Sequence, residues 1–410
     1  VNTIITIPVS TGLRLVCEPG HEESLNIALT HLSAVIESVN RNKNSPLLSA
    51  YIETVLNRFL LETPYSAKSK SMITSRFRKL TTALTGDRPE MKVSELDEQA
   101  ARTLKAELPA MLRKNQHSAS QGTNVETYYR LFNRLANEAF SDNLISKPIR
   151  ITATRTKKSQ VSKPFSDADL TSLFAGWPYQ TARKVDHDAH SYRFWLMPLA
   201  LLTGGRLNEL CQLRIRDIVQ DKHGIDLISI NDNGFHKSIK NEQSRREIPI
   251  CSALKGIGFM DFVLERRQAE GEDALLFPEL SYDPTHLYSR NPSRFFCGPS
   301  TGAGYIGEHC PHTRDGGWSF KSFRRTFALR LEASGIPAST IGYLLGHRNG
   351  SSDITEKHYL SKPLSICMLE QLELGLAYKI DMSHISWLNY RLILMSQAGR
   401  RKRGRPKVIS

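Results

Sequence analysis

Apolar side chains recur at helical spacing over most of this chain, and alternate at strand spacing in one short region. "SAYIETVLNRFLLE" places Ile52, Val55, Leu56, Phe59 and Leu60 on one helical face. "NVETYYRLFNRLANEAF" does the same with Tyr128, Leu131, Phe132, Leu135 and Ala139. A mostly helical domain is therefore expected over 46–147. Residues 1–45 show no clear pattern and stay unassigned. The stretch 148–165, rich in Lys, Arg, Ser and Thr with two prolines and no periodicity, reads as a basic linker. "SDADLTSLFAGW" then opens a second domain. Ser166 is the expected N-cap, and Asp167 and Asp169 suit the positive end of the helix dipole.

Further on, "RFWLMPLALLTGGRLNELCQLRIRDI" reads as two buried helices joined at Thr203-Gly204-Gly205. "GIDLISIND" and "RREIPICS" alternate as short strands, with "NGFHKSIKNEQS" as the polar hairpin between them. "SFKSFRRTFALRLEASG" sets Phe320, Phe323, Phe327 and Leu331 on one helical face, with Gly335 as its stop. "IPASTIGYLLGH" and "LSICMLEQLELGLAYKI" predict two more helices. The expected fold class is mainly α with a small antiparallel sheet (α+β). The second domain runs over 166–364, a helical segment over 365–398, and a basic tail over 399–410.

Composition narrows the class of partner. The chain has 410 residues, 40% hydrophobic and 23% charged, with a formal net charge of +14, which fits folded domains with a polyanionic partner. Lys68, Lys70, Arg76, Arg78 and Lys79 are either a solvated helix face or a DNA-facing surface. Six widely spaced cysteines do not make a disulfide scaffold and suit a reducing compartment. Cys297, His309, Cys310 and His312 lack the paired spacing of a zinc site. No secretory signal and no membrane-length apolar run is visible, so a cytoplasmic protein is expected. There is no GxxxxGK[ST], and no GxGxxG entering a helix, so no nucleotide cofactor is expected.

Taken singly, each polar motif has a plain structural reading. Arg206 and Glu209 in "TGGRLNEL" could be a surface i,i+3 ion pair. His347 and Tyr359 could be a helix end and an incidental aromatic. Their order along the chain changes this. "LLTGGRLNELCQLRIRDI", "KSIKNEQSRREIPI", "KSFRRTFALRLEASGI" and "IGYLLGHRNGSSDITEKHYL" follow one another, and the set resembles the catalytic domain of the tyrosine recombinases, the phage-integrase family. The resemblance covers roughly 165–365, and the helical region before it resembles the family's core-binding domain only in outline.

That resemblance implies a site. Arg206 and Arg324 would clamp the scissile phosphate, Lys240 would protonate the departing 5′-oxygen, His347 would donate to a phosphate oxygen, and Tyr359 would be the nucleophile, with a 3′-phosphotyrosyl intermediate. Lys237 is the rival to Lys240 and otherwise a DNA contact, as is Arg325. Lys321 stands where the family usually has histidine. It can still donate to phosphate but is not a near-neutral base. Because some type IB topoisomerases carry lysine there, a topoisomerase remains an alternative, as does a DNA-binding protein that keeps the fold without the chemistry. The gap from His347 to Tyr359 is a few residues longer than usual. The resemblance further implies double-stranded DNA as partner, a homotetramer on paired sites, two domains clamped about the duplex, and neither metal nor other cofactor. In the tail, "RKRGRPK" resembles an AT-hook, which would put Arg403 and Arg405 in a minor groove; a basic tail with nonspecific phosphate affinity is the other reading.

Overall fold

The computed structural model describes residues 3–6, 14–17, 22–63, 65, 67–113, 121–152, 162–180, 188–299, 303–347 and 364–403. The chain divides into two units, Val1–Ser159 and Gln160–Ser410, each with its own hydrophobic core. No helix among the described residues is long and apolar enough to cross a membrane.

In the first unit, β1 (Thr3–Thr6) and β2 (Arg14–Cys17) pair antiparallel. The helix α1 (Glu22–Asn44) follows, so the segment left unassigned from the sequence contains regular structure. Four helices then enclose the core: α2 (Leu48–Glu62), α3 (Ala67–Thr85), α4 (Glu98–Arg113) and α5 (Gln121–Ser141). The expected faces of α2 and α5 are the ones buried. Ile52, Val55 and Leu56 meet Tyr128, Leu131, Phe132, Leu135 and Ala139 in one cluster, joined by Phe77 and Leu80 of α3 and Leu104 and Leu108 of α4. The segment read as a linker starts inside this core, because Ile149 and Ile151 are buried in it, and Asn133 closes two hydrogen bonds with the backbone of Ile151. Its far end, Phe165, is buried in the second unit.

The second unit begins with α6 (Asp167–Phe174), whose N-cap is Ser166; its hydroxyl accepts the Asp169 N–H. The central helix α7 (Ser191–Thr203) is buried on almost every side, which explains why its sequence is apolar without periodicity. A turn leads to α8 (Leu207–Cys211), much shorter than the second long helix read from the sequence. Helical hydrogen bonding ends there, and Arg214 and Asp217 instead bracket a short 3₁₀ turn that feeds a strand. The sheet is β3 (Ile218–Gln220), β4 (Asp226–Ile230) and β5 (Arg246–Pro249), antiparallel in the order β3-β4-β5. Only the last two strands were legible beforehand. Pairing Ile228 with Ile248 puts the apolar face of both on the core.

Six further helices complete the unit up to residue 345: α9 (Ser252–Gly256), α10 (Phe259–Glu270), α11 (Arg290–Cys297), α12 (Tyr305–His309), α13 (Lys321–Ala333) and α14 (Ala338–Leu345). Two more follow, α15 (Leu364–Gly375) and α16 (Trp387–Arg403). On α13, Phe323, Phe327 and Leu331 are fully buried, and Gly335 lies just past the end at φ +77°. Trp387, Tyr390 and Ile393 seat α16 against the same core. Among the described residues, no group of three His, Cys, Asp or Glu could hold a metal ion.

Candidate active site

The turn between α7 and α8 is built by Thr203, Gly204 and Gly205. The Thr203 hydroxyl bonds back to the Leu199 carbonyl and accepts the Gly205 N–H. Gly204 is left-handed, at φ +65°, and a Cβ there would lie 2.6 Å from the Phe327 ring. Only glycine fits on both counts. The sharp turn delivers Arg206 as the N-cap of α8 and brings the Gly204 carbonyl to within 2.7 Å of Arg324 Nη1.

Arg324 lies on the buried face of α13. Besides Gly204, it donates to the Leu345 carbonyl and, through Nη2, to His347 Nε2 at 3.0 Å. Three of its five N–H groups are thereby used, and two remain for an anion. Burial, with the like charges of Arg206 and Arg246, lowers Arg324 to about 9, so it stays cationic at neutral pH. His347 follows Gly346, the left-handed cap of α14, and its own N–H is held by the Gly342 carbonyl at 2.9 Å. Burial first, then Arg324, Arg206, Arg246 and Lys240, depress its pKa. The imidazole is therefore neutral at pH 7. Since Arg324 donates to Nε2, the network assigns the ring hydrogen to Nδ1.

Glu209 and Arg246 form the scaffold beneath. Glu209, one turn into α8 and 4% exposed, accepts Arg206 Nη1 at 2.6 Å, the Arg206 backbone N–H at 2.9 Å and Arg246 Nη2 at 2.9 Å. Burial alone would raise its pKa, but Arg246 and Arg206 outweigh that and lower it. Arg246 also donates to the carbonyls of Leu344 and Ser244, both at 2.7 Å. It thus ties β5, α8 and the end of α14 together. Sequence reading missed Arg246 as a part of the site and used it only as a signature. Strand alternation was the available signal, since it shares a face with buried Ile248.

The remaining expected residues are placed unevenly. Lys240 is exposed on the loop between β4 and β5 and makes no ion pair among the described residues. Lys237, only three residues earlier, is different. Its side chain is 1% exposed, and its ammonium bonds both Asp217 oxygens and Asn231 Oδ1. All three donors are occupied, so the expectation of a DNA contact from Lys237 does not fit this geometry. Lys321 is the exposed first residue of α13, and Arg325 is exposed beside Arg324. Arg403 is the last residue of α16. Tyr359 and Arg405 lie outside the described residues.

Arginine, arginine and histidine converging on one turn have the chemistry to hold a phosphate, and the sequence around them can be compared with known proteins. Residues 179–362 match the model of the phage integrase family. Over that stretch, a little under half of the chain, the sequence is similar to the phage integrase family. The integrase of Escherichia phage HK022 is 25% identical over 207 residues, which are 49% of this chain and 48% of that protein. The chain thus spans about half the length of this curated relative. Among solved structures, the integrase of the Tn1549 transposon in complex with circular intermediate DNA superposes with a TM-score of 0.50 at 15% identity, over 78% of this chain and 98% of that one. A variant of the same integrase gives 0.52 at 16% identity, over 79% and 99%. At that identity the likeness shows a shared integrase fold.

Proposed function

We propose that this chain is a site-specific DNA recombinase that cuts and rejoins DNA strands through a 3′-phosphotyrosyl intermediate. The observation that carries the reading is the convergence of Arg206, Arg324 and His347 on the α7–α8 turn, inside a stretch similar to the phage integrase family. A phosphodiester attacked at phosphorus gains negative charge on its non-bridging oxygens, and fixed guanidinium groups stabilise that charge with little reorganisation. Glu209 and Arg246 supply the fixing.

In this mechanism the Tyr359 hydroxyl oxygen attacks phosphorus, forming a new P–O bond while the bond to the 5′-oxygen breaks. Lys240 gives that oxygen its proton. The phosphotyrosine keeps the energy of the broken ester, and attack by a 5′-hydroxyl reverses the step. A free tyrosine has a pKa of about 10, so the arginine field has to favour its ionised form. Lys321, at the rim, donates to a phosphate oxygen. Arg325, Arg403 and Arg405 contact DNA outside the reacting group. Double-stranded DNA is the partner, and exchange of four strands calls for a tetramer on paired sites.

The test is covalent capture. Incubated with a nicked duplex built from the DNA flanking its gene, the protein should form an adduct that survives a denaturing gel. Tyr359→Phe should abolish it, and an adduct retained in that variant would sink the nucleophile assignment. Lys321 at the usual histidine position favours one second reading, a type IB topoisomerase. An adduct on every duplex, with relaxation of supercoiled plasmid by the monomer, would establish that instead.

A further inference from the structure

Between β4 and β5 the loop carries a side chain that the proposed reaction leaves unused. Phe235 is 76% exposed, although the loop around it is held from several sides. Arg214 Nη2 donates to the Phe235 carbonyl and Arg216 Nη2 to the Asn233 carbonyl, both at 3.0 Å. Gly234, between them, has φ +127°, and a Cβ there would lie 2.8 Å from Arg216 Nη2. The backbone therefore rests directly on the guanidinium. Two residues after Phe235, Lys237 is anchored on Asp217.

Aromatic packing fixes the other side. His236, at φ +65°, has the Phe235 ring at 3.7 Å and the Tyr282 ring at 3.6 Å, the latter parallel to within 13°. Tyr282 meets Tyr288 edge-on at 5.8 Å. The Tyr288 N–H donates to Asn208 Oδ1 at 3.1 Å, and Asn208 Nδ2 donates to Gln212 Oε1 at 3.0 Å. The same Gln212 oxygen accepts the Ser238 N–H at 2.9 Å. Both flanks of the loop are thus tied to α8, whose N-cap is Arg206. A large apolar ring left in water is unfavourable, and a loose loop would fold it inwards. This loop is built so that it cannot. Arg214 and Arg216 lie against the loop backbone on either side of Gly234 and give this loop positive charge. Its complement has a flat apolar face and an anionic backbone, which is a nucleobase within DNA.

We propose that Phe235 is a DNA contact that stacks on one nucleobase of the DNA bound at Arg206 and Arg324, and so sets the position of bound DNA relative to Lys240. The assignment rests on the recombinase reading above. Its test uses the full chain and the nicked duplex from the flanking DNA, in intact form and with an abasic site placed at each position around the cleaved phosphate. Rates of adduct formation are compared for the wild type, Phe235→Ala and Phe235→Trp, with thermal melting to confirm that all three fold alike. Phe235→Ala should react about tenfold more slowly, and Phe235→Trp should recover most of the rate. At one position the abasic site should slow the wild type by the same factor yet leave Phe235→Ala no slower still, because both changes remove one contact. Adducts forming at the wild-type rate in Phe235→Ala, or losses that multiply at every position, would overturn this proposal and leave the recombinase standing. A wild-type chain that forms no adduct at all would overturn both.

Discussion

Arg246 and Glu209 show how a single buried residue pair decides what its neighbours can do. Glu209 meets two guanidinium groups and one backbone N–H, so Arg206 is held in place by a carboxylate that cannot turn away. Arg246, with its side chain 1% exposed, bonds Glu209 and two carbonyls and acts as structure, whereas the Arg206 side chain is 27% exposed and open to an anion. His347 sits amid this positive charge, and its response to acid follows. Burial first, then Arg324, Arg206, Arg246 and Lys240, disfavour its protonation in the fold, while the unfolded chain titrates near the ordinary histidine value of about 6.5. Between those two values the unfolded state binds more protons. Stability is therefore full above about pH 6.5 and falls as the pH drops through the depressed folded value. His309, depressed by burial, acts in the same direction. His347→Gln should flatten part of the fall in melting temperature from about pH 7.5 to about pH 5, and an unchanged slope would show that His347 takes no proton on unfolding.

At the scale of elements, the β4–β5 loop separates two lysines that sequence spacing left as rivals. Gln212, Asp217 and Asn231 fasten its base, and the residues beyond carry Lys240 into solvent. Burial pulls the Lys237 pKa down and Asp217 only partly offsets it, the mark of a structural pair whose two members depend on each other. Lys237→Met leaves Asp217 buried without its countercharge and should cost about 3 kcal/mol of unfolding free energy. Lys240→Ala, at an exposed site, should change stability by less than about 0.5 kcal/mol while slowing adduct formation far more. Denaturant unfolding together with the gel assay checks both. If Lys240→Ala reacted at the wild-type rate, the proton donor would have to be sought elsewhere.

On the scale of the whole molecule, two separate cores imply two cooperative units. Residues 1–159 and 160–410 should each fold when expressed alone, and 160–410 should melt at the temperature of its own transition in the full chain. Calorimetry showing one transition for the full chain, with neither half folding, would contradict this. For the DNA partner proposed above, a net charge of +14 predicts a steep loss of affinity as salt is raised, because bound phosphates release counterions; a salt titration of binding checks it.

The sequence by itself determined the helical faces of α2, α5 and α13, the β4–β5 pair, the Ser166 cap and the order of the polar motifs. Each of these is a local pattern, set by side-chain spacing or by one turn. It overran α8 and missed β3 because Leu213, Ile215 and Ile218 fit helical and strand spacing alike over so short a stretch, and β3 is only three residues long. It could not separate Lys237 from Lys240, since three residues apart in a loop says nothing about which amine is buried. Arg246 was equally hidden, because its partners, Glu209 and the Leu344 carbonyl, are 37 and 98 positions away. Only the tertiary structure decided these points. Burial and ion pairing depend on which distant segments come together, and that is a property of the packed core.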